Sequence, residues 1–428
     1  MRALIVSPTT PPIPGRDVHG VYGRLGMEIR ALGRVADSIE MLHLVHAKVA
    51  ALYPDSDALG RIASAHWGVR VTVMLAPLRV REETMWRHYG AGIFSIRDQP
   101  RYFPYCGEVQ IGAVEQCLDR SPDLVLVHRL DAMSPFLRLR RGLPPMLFDL
   151  DDVEHRVLMR STFTAPVWPG KLAYLLQVPA MVAAERNGAG RSLNTFVCSE
   201  FDRLRLKRLG IVKGVVVIPN AIEIPAAVDP VASDRSILFL GAYNFPPNAR
   251  GAERLVARIW PLVSRELPEA RLVIAGKEPE CIPSFRSPPP GVEFAGFVKD
   301  LTELYRRSRI VCAPLIEGGG TRVKLIEAAA YAKPVVSTTV GAEGLDFQNG
   351  SEIMIADRDA EIAAACVRLL RDDKLCQRLG SAARERARER HDRSKVQIRL
   401  ETLMRDAIGK SGAARQVAGS AIGNETTH

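Results

Sequence analysis

The stretch that decides the fold runs from Val311 to Gly344 and reads VCAPLIEGGGTRVKLIEAAAYAKPVVSTTVGAEG. The apolar run Ile310 to Pro314 is typical of a buried parallel strand, and the glycine triplet that follows interrupts it. We expect a helix over Arg322 to Ala332, with Thr321 as its N-cap, and a second strand over Pro334 to Thr338. Strand, loop, helix and strand in this order predict a parallel α/β unit.

The loop between this strand and helix has the residues of an anion site. The glycines at 318–320 let backbone N–H groups approach a ligand closely, and the helix behind them adds the positive end of its dipole. Arg322 and Lys324 stand in the first helical turn, where a bound diphosphate would offset their repulsion from the dipole. Glu327 lies on the same side as Lys324 and can accept two hydrogen bonds from a vicinal diol such as a ribose. The alternative is an ordinary glycine turn, in which Glu327 only pairs with Lys324 on a solvated face.

The pattern Gly-Gly-Gly-Thr-Arg-x-Lys-x-x-Glu-Ala, followed by Pro-Val-Val-Ser-Thr and Gly-Ala-Glu-Gly-Leu, resembles the nucleotide-sugar half of retaining GT-B glycosyltransferases of the family 4 type. Within that family it is similar to the subgroup with Gly-Gly-Gly-Thr-Arg-x-Lys. The resemblance implies an α/β fold of two doubly wound, Rossmann-like domains facing across a cleft, with a C-terminal helix that crosses back to the N-terminal domain. Many members carry two glutamates here; Glu327 matches the second, whereas Gly319 stands at the place of the first.

The resemblance also assigns roles to individual residues. It implies catalytic roles for His128, Arg322 and Lys324, and donor binding by Gly15, Arg250, Val298, Gly319, Gly320, Thr321 and Glu327. Ala242 stands where ordinary members carry an arginine, and Arg250 matches a nearby lysine place only approximately, so more of the phosphate charge falls on Arg322 and Lys324. The candidates for the acceptor side are Arg16, Asp17, His19, Asp149 and Asp151.

Several of these candidates also have a purely structural interpretation. His128 ends the apolar run Asp123 to His128, and a histidine that ends a strand is often only structural. Asp149 and Asp151 end the run Met146 to Asp152; acids there suit sugar hydroxyls, a metal or a base, but they also cap the helix that follows. The proline-rich loop that contains residues 15–19 borders the carboxyl end of the first strand, where ligands of α/β sheets bind, and can also be an ordinary surface loop.

Composition bounds the class of protein. A chain of 428 residues with 47% hydrophobic and 25% charged residues is typical of two soluble globular domains. We find no run of eighteen apolar residues and no signal peptide, so we expect a cytoplasmic protein. The seven cysteines form no Cys-x-x-Cys, and the sequence predicts neither a disulfide framework nor a metal site.

The net charge is +10, and basic clusters occur at Arg138 to Arg141 and at Arg203 to Lys213. Such clusters suit an anionic membrane surface, here the inner face of the membrane, or an anionic substrate, and they can equally be solvated faces. Aromatic residues make up only 6% and do not alternate with the basic ones, which argues against nucleic acid as a partner.

Prolines 219, 225 and 230 mark a linker between two α/β halves. We expect an N-terminal acceptor-binding domain over residues 1–224 and a C-terminal nucleotide-sugar-binding domain over 225–393. A crossing helix over 394–409 and a disordered tail over 410–428, which is small and polar, would follow.

The sequence therefore predicts a retaining, metal-independent hexosyltransferase that needs no cofactor. It would move a sugar from a nucleotide-diphosphate sugar to a glycan or lipid-linked acceptor, in the synthesis of cell-surface polysaccharide or exopolysaccharide. Two alternatives stay open: a sugar-nucleotide epimerase on the same scaffold that uses Asp149 or Asp151, and a non-catalytic nucleotide-sugar binding protein. A nicotinamide-dependent oxidoreductase is disfavoured, because no Gly-x-Gly-x-x-Gly follows the first strand. The sequence does not indicate the base, the sugar, the acceptor or the linkage.

Overall fold

The computed structural model describes residues 1–12, 20–78, 105–164, 167, 169–228 and 234–423. Within these ranges the chain forms one seven-stranded and one six-stranded sheet, each in its own compact unit. The first unit comprises Met1–Ile218 and the chain from Lys395 onward, and the second comprises Pro219–Ser394. The division therefore falls earlier than the prolines suggested. The physical reason is that Ile222 exchanges backbone hydrogen bonds of 2.9 Å with His391 and Arg393, which ties the segment after Pro219 into the second unit.

The first sheet is parallel throughout and has the strand order β3-β2-β1-β4-β5-β6-β7. Its strands are β1 (Arg2–Ser7), β2 (Ser38–His46), β3 (Val71–Leu78), β4 (Leu124–His128), β5 (Met146–Asp151), β6 (Asn194–Val197) and β7 (Val215–Val217). Every residue of β4 and β5 is buried, as expected for central strands that helices cover on both faces.

The helices of the first unit alternate with these strands. They are α1 (Gly20–Gly33), α2 (Ala47–Ala50), α3 (Ser56–Trp67), α4 (Glu108–Asp119), α5 (Arg129–Arg138), α6 (Glu154–Phe163), α7 (Pro169–Leu172), α8 (Val178–Arg191) and α9 (Glu200–Arg208). A 3₁₀ turn at Ala173–Gln177 joins α7 to α8. Phe136 of α5 and Phe148 of β5 are among the largest fully buried side chains of the core.

The second sheet is also parallel and has the order β10-β9-β8-β11-β12-β13. Its strands are β8 (Ser236–Leu240), β9 (Arg271–Ala275), β10 (Val292–Gly296), β11 (Ile310–Ala313), β12 (Val335–Ser337) and β13 (Met354–Ile355). Its helices are α10 (Pro246–Arg254), α11 (Trp260–Glu266), α12 (Leu301–Arg307), α13 (Val323–Ala330), α14 (Asp359–Arg371) and α15 (Asp373–Arg390), with one π-helical turn at Leu255–Ile259. Trp260, Tyr243 and Tyr305 fill its core.

Both sheets share the order 3-2-1-4-5-6 of a doubly wound Rossmann fold, so the predicted fold class is confirmed. In the first sheet, β2 and β3 are added on one side of β1, and the chain then returns to place β4 on the other side. The second sheet does the same around β8, with β11 on the other side, so the switch points lie between β1 and β4 and between β8 and β11. Ligands of such sheets bind beside the carboxyl ends of the strands at this switch point. The ends of β4 and β11 are therefore the places at which a site is expected.

The C-terminal helix α16 runs over Arg393–Gly423, so the prediction of disorder for 410–428 was wrong as far as residue 423. Its small residues include Ala413, Ala414, Ala418 and Ala421, and alanine is the residue with the highest helix propensity. The basic cluster at Arg138 to Arg141 is also not one continuous basic surface, because Leu139 is buried and Arg141 pairs with Asp119 at 2.5 Å. No helix in the described ranges combines the length and the apolar content that crossing a bilayer requires.

Candidate functional site

The glycine loop lies where β11 ends, at the switch point of the second sheet. Gly318 has a φ of 106° and Gly320 a φ of 64°, values that other residues rarely adopt. A Cβ atom on Gly318 would also lie 2.9 Å from Nη2 of Arg322. Glycine at 318 is therefore required both by the backbone conformation and by the arginine that packs against it.

Arg322 folds back over this loop. Its guanidinium donates to the carbonyl of Gly319, to that of Gly320 at 2.8 Å and to that of Glu317 at 3.3 Å. Arg322 occupies the N-cap position, and helix α13 begins at Val323, so the prediction that Thr321 is the N-cap was wrong. The Thr321 hydroxyl instead accepts a hydrogen bond of 2.8 Å from Nδ2 of Asn220. The carbonyls of the loop thus accept hydrogen bonds from a guanidinium whose donors would also suit a phosphate.

Lys324 projects from the first turn of α13 into a partly buried place. Its Nζ donates to Oδ1 of Asn248 at 2.7 Å and lies 4.6 Å from the centre of the Phe239 ring. Burial, assisted by the neighbouring charge of Arg322, lowers the pKa of Lys324 to about 7. At neutral pH the free protein is therefore poised between a charged and an uncharged lysine, and an anion beside Nζ would favour the charged form.

Arg250 projects from α10, and its guanidinium pairs with the carboxylate of Glu317, which is almost fully buried in the loop after β11. Glu317 stands two positions before the place of the family's first glutamate, and no role was predicted for it. The structure shows that it holds the guanidinium of Arg250 at the glycine loop. A planar, five-donor guanidinium can keep this partner on one edge and present another edge to a phosphate.

Glu327 lies one turn further along α13 than Lys324. Burial raises the pKa of Glu327, while a hydrogen bond from the Tyr305 hydroxyl and the charge of Lys324 act against that rise. The Tyr305 hydroxyl is 3.4 Å from Oε2 of Glu327, and its ring stacks on that of Tyr331 with the ring centres 4.7 Å apart. The carboxylate is therefore oriented by a buried tyrosine and keeps further acceptor capacity.

The turn after β10 follows the edge strand of the second sheet, which β9 separates from β8. Val298 is partly buried against the core of the second unit, and the ring of the preceding Phe297 is exposed with Nζ of Lys277 5.0 Å from its centre. Close to it, a Cβ atom on Gly276 would lie 1.6 Å from the carbonyl oxygen of Gly241. The ends of β8 and β9 can therefore approach each other this closely only because residue 276 is glycine.

The end of β4 in the first unit holds a buried cluster of charged groups. His128 is fully buried, with Nδ1 3.1 Å from Oδ2 of Asp149 and 3.4 Å from Oε2 of Glu28. Arg24 donates to both oxygens of Asp149, at 2.7 Å and 2.6 Å, and to the carbonyl of Ile218 at 2.7 Å. Arg24 and Glu28 are one turn apart on α1, so this helix contributes one cation and one acid to the cluster.

Neighbouring charges and burial act in opposite directions on the pKa values of His128 and Asp149 in this cluster. Burial alone would lower the pKa of His128, but the hydrogen bonds with Asp149 and Glu28 outweigh it and raise that pKa to about 9. Burial and the charge of Asp149 raise the pKa of Glu28, whereas Arg24 and His128 hold the pKa of Asp149 below its usual value despite burial. Glu28, His128 and Asp149 offer donor atoms within 4.8 Å of one another, a set that can hold a metal ion. Arg24 already places a cation on both oxygens of Asp149, so the residues favour an ion network over a metal centre.

Asp151 is placed differently from Asp149. Nη2 of Arg129 lies 3.4 Å from Oδ2 of Asp151 and 3.4 Å from Oδ2 of Asp152, and Sγ of Cys198 donates to Asp151 at 2.8 Å. Arg129 and Asp151 have φ values of 73° and 59°, although neither is glycine. Backbone strain of this kind is concentrated at functional sites. Of the predicted acceptor-side residues, both Asp149 and Asp151 are thus buried: Asp149 belongs to the cluster around His128, whereas Asp151 lies at its border, between Arg24 at 3.6 Å and Arg129.

The structure brings the predicted residues together in two groups. Around the glycine loop of the second unit lie Arg250, Gly319, Gly320, Thr321, Arg322, Lys324 and Glu327, and at the strand ends of the first unit lie His128, Asp149 and Asp151. The predictions on Gly15, Arg16, Asp17 and His19 lie outside the described residues. Sequence reasoning missed Asn248, Glu317, Tyr305, Arg24 and Glu28. The spacing of Arg24 and Glu28 by one helical turn is the one signal that pointed to a shared partner.

Two doubly wound sheets, with a glycine loop at the switch point of the second, form a GT-B fold, and solved structures share it. Sucrose-phosphate synthase from Thermosynechococcus elongatus aligns with a TM-score of 0.66 and 16% identity, covering 96% of this chain and 100% of that chain. Anabaena HepE in complex with UDP aligns with a TM-score of 0.63 and 13% identity, covering 95% and 100%. At such identities the likeness establishes the fold and nothing further.

Sequence comparison identifies the second unit more closely. Residues 234–372 match the family described as glycosyl transferases group 1. The chain is 30% identical over 238 residues to the phosphatidyl-myo-inositol mannosyltransferase of Mycolicibacterium smegmatis, covering 52% of this chain and 59% of that protein. The corresponding protein of Mycobacterium leprae is 29% identical over 230 residues, covering 50% and 59%. The matched stretch thus spans about three fifths of the length of these curated relatives.

Proposed function

We propose that the chain is a retaining glycosyltransferase of the family 4 type that moves a sugar from a nucleotide-diphosphate sugar to a hydroxyl of an acceptor. The observation that carries the proposal is that three cations flank the glycine loop. Arg322 donates to its carbonyls, Arg250 pairs with Glu317 at its start, and Lys324 stands in the first turn of the helix that follows it. The family match over residues 234–372 and the two mannosyltransferase relatives support the reaction class.

In the proposed reaction the second unit binds the donor. The diphosphate lies against the glycine loop, where backbone N–H groups and the cations of Arg322, Lys324 and Arg250 meet the charge that develops as it leaves. For this, Arg322 must release the carbonyls of the loop and donate to phosphate oxygens instead. Lys324 must likewise release the side-chain amide of Asn248. Glu327 accepts hydrogen bonds from the two ribose hydroxyls. The cations of the chain take the charge-neutralising role that a divalent ion has in other phosphate sites, and on this ground we propose a metal-independent reaction without a cofactor.

Retention follows if the acceptor hydroxyl attacks the face from which the diphosphate departs. The bond from the sugar to the diphosphate oxygen breaks, the bond to the acceptor oxygen forms, and the departing phosphate oxygen takes the acceptor proton. No side chain has to act as the nucleophile. We assign a positioning role to His128, because Asp149 and Glu28 hold its ring below the surface of the first unit.

We place the acceptor in the first unit, at the end of β5. Asp151 and Asp152 can accept hydrogen bonds from sugar hydroxyls, and Arg129 fixes their orientation. We propose a lipid-linked or glycan acceptor used in building surface polysaccharide; a lipid-linked one agrees with the two relatives, which are phosphatidyl-myo-inositol mannosyltransferases.

Thermal unfolding with UDP, GDP, ADP and NAD tests the proposal. A ligand present at about 100 times its dissociation constant adds roughly 2.7 kcal/mol to the free energy of unfolding. We expect a shift of the midpoint with one nucleoside diphosphate, which Arg322→Ala or Glu327→Ala abolishes. Arg258→Ala is the matched control, because Arg258 lies in the same unit, is largely exposed and forms an ion pair with Asp359.

The absence of a shift with every diphosphate would overturn the donor site. With a binding nucleotide known, the corresponding nucleotide-sugar is incubated with candidate acceptors and its products are separated. Transfer with retained configuration agrees with the proposal, a new nucleotide-sugar without an acceptor indicates an epimerase, and binding without turnover indicates a binding protein.

A further inference from the structure

Six large apolar side chains of the first unit lie exposed on three neighbouring segments, and we call them the apolar face. They are Met159 (41% exposed) and Phe163 (61%) on α6, Leu172 (42%) and Leu176 (47%) on α7 and the 3₁₀ turn, and Phe201 (36%) and Leu204 (44%) on α9. Each pair is three or four residues apart, so each segment presents both of its members on one side. Single exposed apolar residues are common on soluble proteins, but a contiguous group of this kind marks an interaction surface.

The three segments adjoin one another. Helix α6 packs against the 3₁₀ turn that carries Leu176. The guanidinium of Arg156, on α6, lies 5.4 Å from the ring centre of Phe201, and that of Arg205 lies 4.0 Å from the same centre. The contact of Arg156 connects α6 to α9, so the apolar face extends across both helices, while that of Arg205 lies within α9.

Cations accompany the apolar face on both helices. Arg156, Met159, Arg160 and Phe163 follow one another at the spacing of a single stripe along α6. On α9, Lys207 and Arg208 are exposed one turn beyond Leu204. The acid of α9 nearest to Phe201, Glu200, is paired with Arg203. A helix surface that alternates large apolar residues with arginine and lysine is typical of segments that lie in the interface of an anionic bilayer.

We propose that the apolar face docks the protein onto an anionic membrane surface. Phenylalanine, leucine and methionine enter the boundary between headgroups and acyl chains, while the arginines and lysines stay at the level of the lipid phosphates. A second copy of the chain fits this surface less well, because a two-fold interface would bring the cations of one copy against those of the other. In this proposal the basic cluster at Arg203 to Lys213 contacts the anionic lipids. The apolar residues beside it contribute the part of the binding free energy that salt does not screen.

The test is flotation of the full chain with vesicles of phosphatidylcholine that contain about one third phosphatidylglycerol, compared with vesicles of phosphatidylcholine alone. We expect binding to the anionic vesicles and at least about tenfold weaker partitioning to the neutral ones. Phe163→Ser with Leu176→Ser should lower partitioning to anionic vesicles by about tenfold or more, because two exposed side chains lose their burial in the bilayer. Leu52→Ser is the matched control: Leu52 is 62% exposed, but it follows β2, which β1 and β4 separate from β5, and partitioning should not change.

Lys207→Glu with Arg208→Glu tests the charge without touching an apolar residue, and we expect a loss of similar size. Equal binding to neutral and anionic vesicles, no binding to either, or unchanged binding of the apolar double variant would each overturn the proposal. So would a dimer in vesicle-free buffer that the apolar double variant converts to a monomer, since the face would then be covered by a second copy. Vesicle binding requires neither donor nor acceptor, so its outcome is independent of the proposed transfer reaction.

Discussion

Raising the pH above neutrality should weaken the binding of a nucleoside diphosphate, because Lys324 must gain a proton when the ligand binds. In the free protein, burial and the charge of Arg322 lower the pKa of Lys324 to about 7. A diphosphate beside Nζ replaces the neutral amide of Asn248 with negative charge and returns this pKa toward its ordinary value near 10.4. Between these two values the complex holds one proton more than the free protein does.

The size of the effect follows from the two pKa values. The apparent dissociation constant is proportional to one plus the ratio of neutral to charged lysine in the free protein. Well above pH 7 this constant therefore rises about tenfold for each pH unit. Between pH 7 and pH 9 the affinity should therefore fall about fifty-fold. At pH 8 each binding event should take up about 0.9 proton. Below pH 6 the free lysine is already charged, and affinity should no longer depend on its protonation.

Isothermal titration calorimetry measures this proton uptake directly. The binding enthalpy is determined at pH 8 in two buffers of different ionisation enthalpy, and the difference between them gives the number of protons taken up. The terminal phosphate of the ligand titrates near pH 6 and is fully ionised under these conditions, so its own protons do not contribute. The dissociation constant is then followed between pH 6 and pH 9.

Lys324→Met is the control for the assignment. The variant should bind more weakly at neutral pH, should take up no proton and should lose the dependence of affinity on pH. A wild-type protein that takes up less than about 0.1 proton at pH 8 would refute the argument, because Lys324 would then be fully charged before the ligand arrives. Proton uptake that persists in Lys324→Met would assign it to another group.

Three further variants test other contacts. Glu327→Gln should weaken binding of a ribonucleoside diphosphate by about ten- to hundredfold, the contribution of hydrogen bonds to a charged group, and should hardly affect the 2′,3′-dideoxy compound, which lacks both hydroxyls; equal losses in titrations of both would mean that Glu327 does not bind the ribose. Glu317→Ala should release Arg250 and weaken binding of the diphosphate but not of the nucleoside, and a loss common to both ligands would indicate a general change in the loop. Arg24→Ala should lower the free energy of unfolding in urea by about 3–5 kcal/mol, since it leaves buried carboxylates without their cation. Arg34→Ala, which removes a mostly exposed ion pair, should cost less than about 1 kcal/mol, and similar costs for the two arginines would show that the buried network is not a source of stability.

The architecture could be predicted from local pattern alone. Strands β11 and β12 fall within the predicted Ile310 to Pro314 and Pro334 to Thr338, because a short apolar run that ends in glycine or proline has few alternatives in an α/β chain. The helix between them is shorter at both ends than predicted, beginning at Val323 and ending at Ala330. The start of the helix depends on the contacts of the Arg322 side chain with the loop carbonyls, which the pattern of apolar and polar residues does not predict.

The partners within the site could not be predicted in the same way. Lys324 meets Asn248 across 76 positions of sequence, and Arg250 meets Glu317 across 67. Such pairs depend on how α10 packs over the sheet, and that packing is set by the volume of many buried side chains rather than by any local spacing. The same is true of His128, which the sequence places at a strand end but whose complete enclosure depends on α1.

The left-handed backbone at Arg129 and Asp151 has a consequence for mutational screening. Each non-glycine residue in this conformation costs about 1–2 kcal/mol, a cost that glycine does not incur. In a library scored only for protein abundance, glycine should therefore be enriched at positions 129 and 151. In a library scored for sugar transfer it should be depleted, because the same change removes the charges at the end of β5. Where glycine is enriched in the first library and depleted in the second, the native side chain lowers the stability of the fold but is required for sugar transfer.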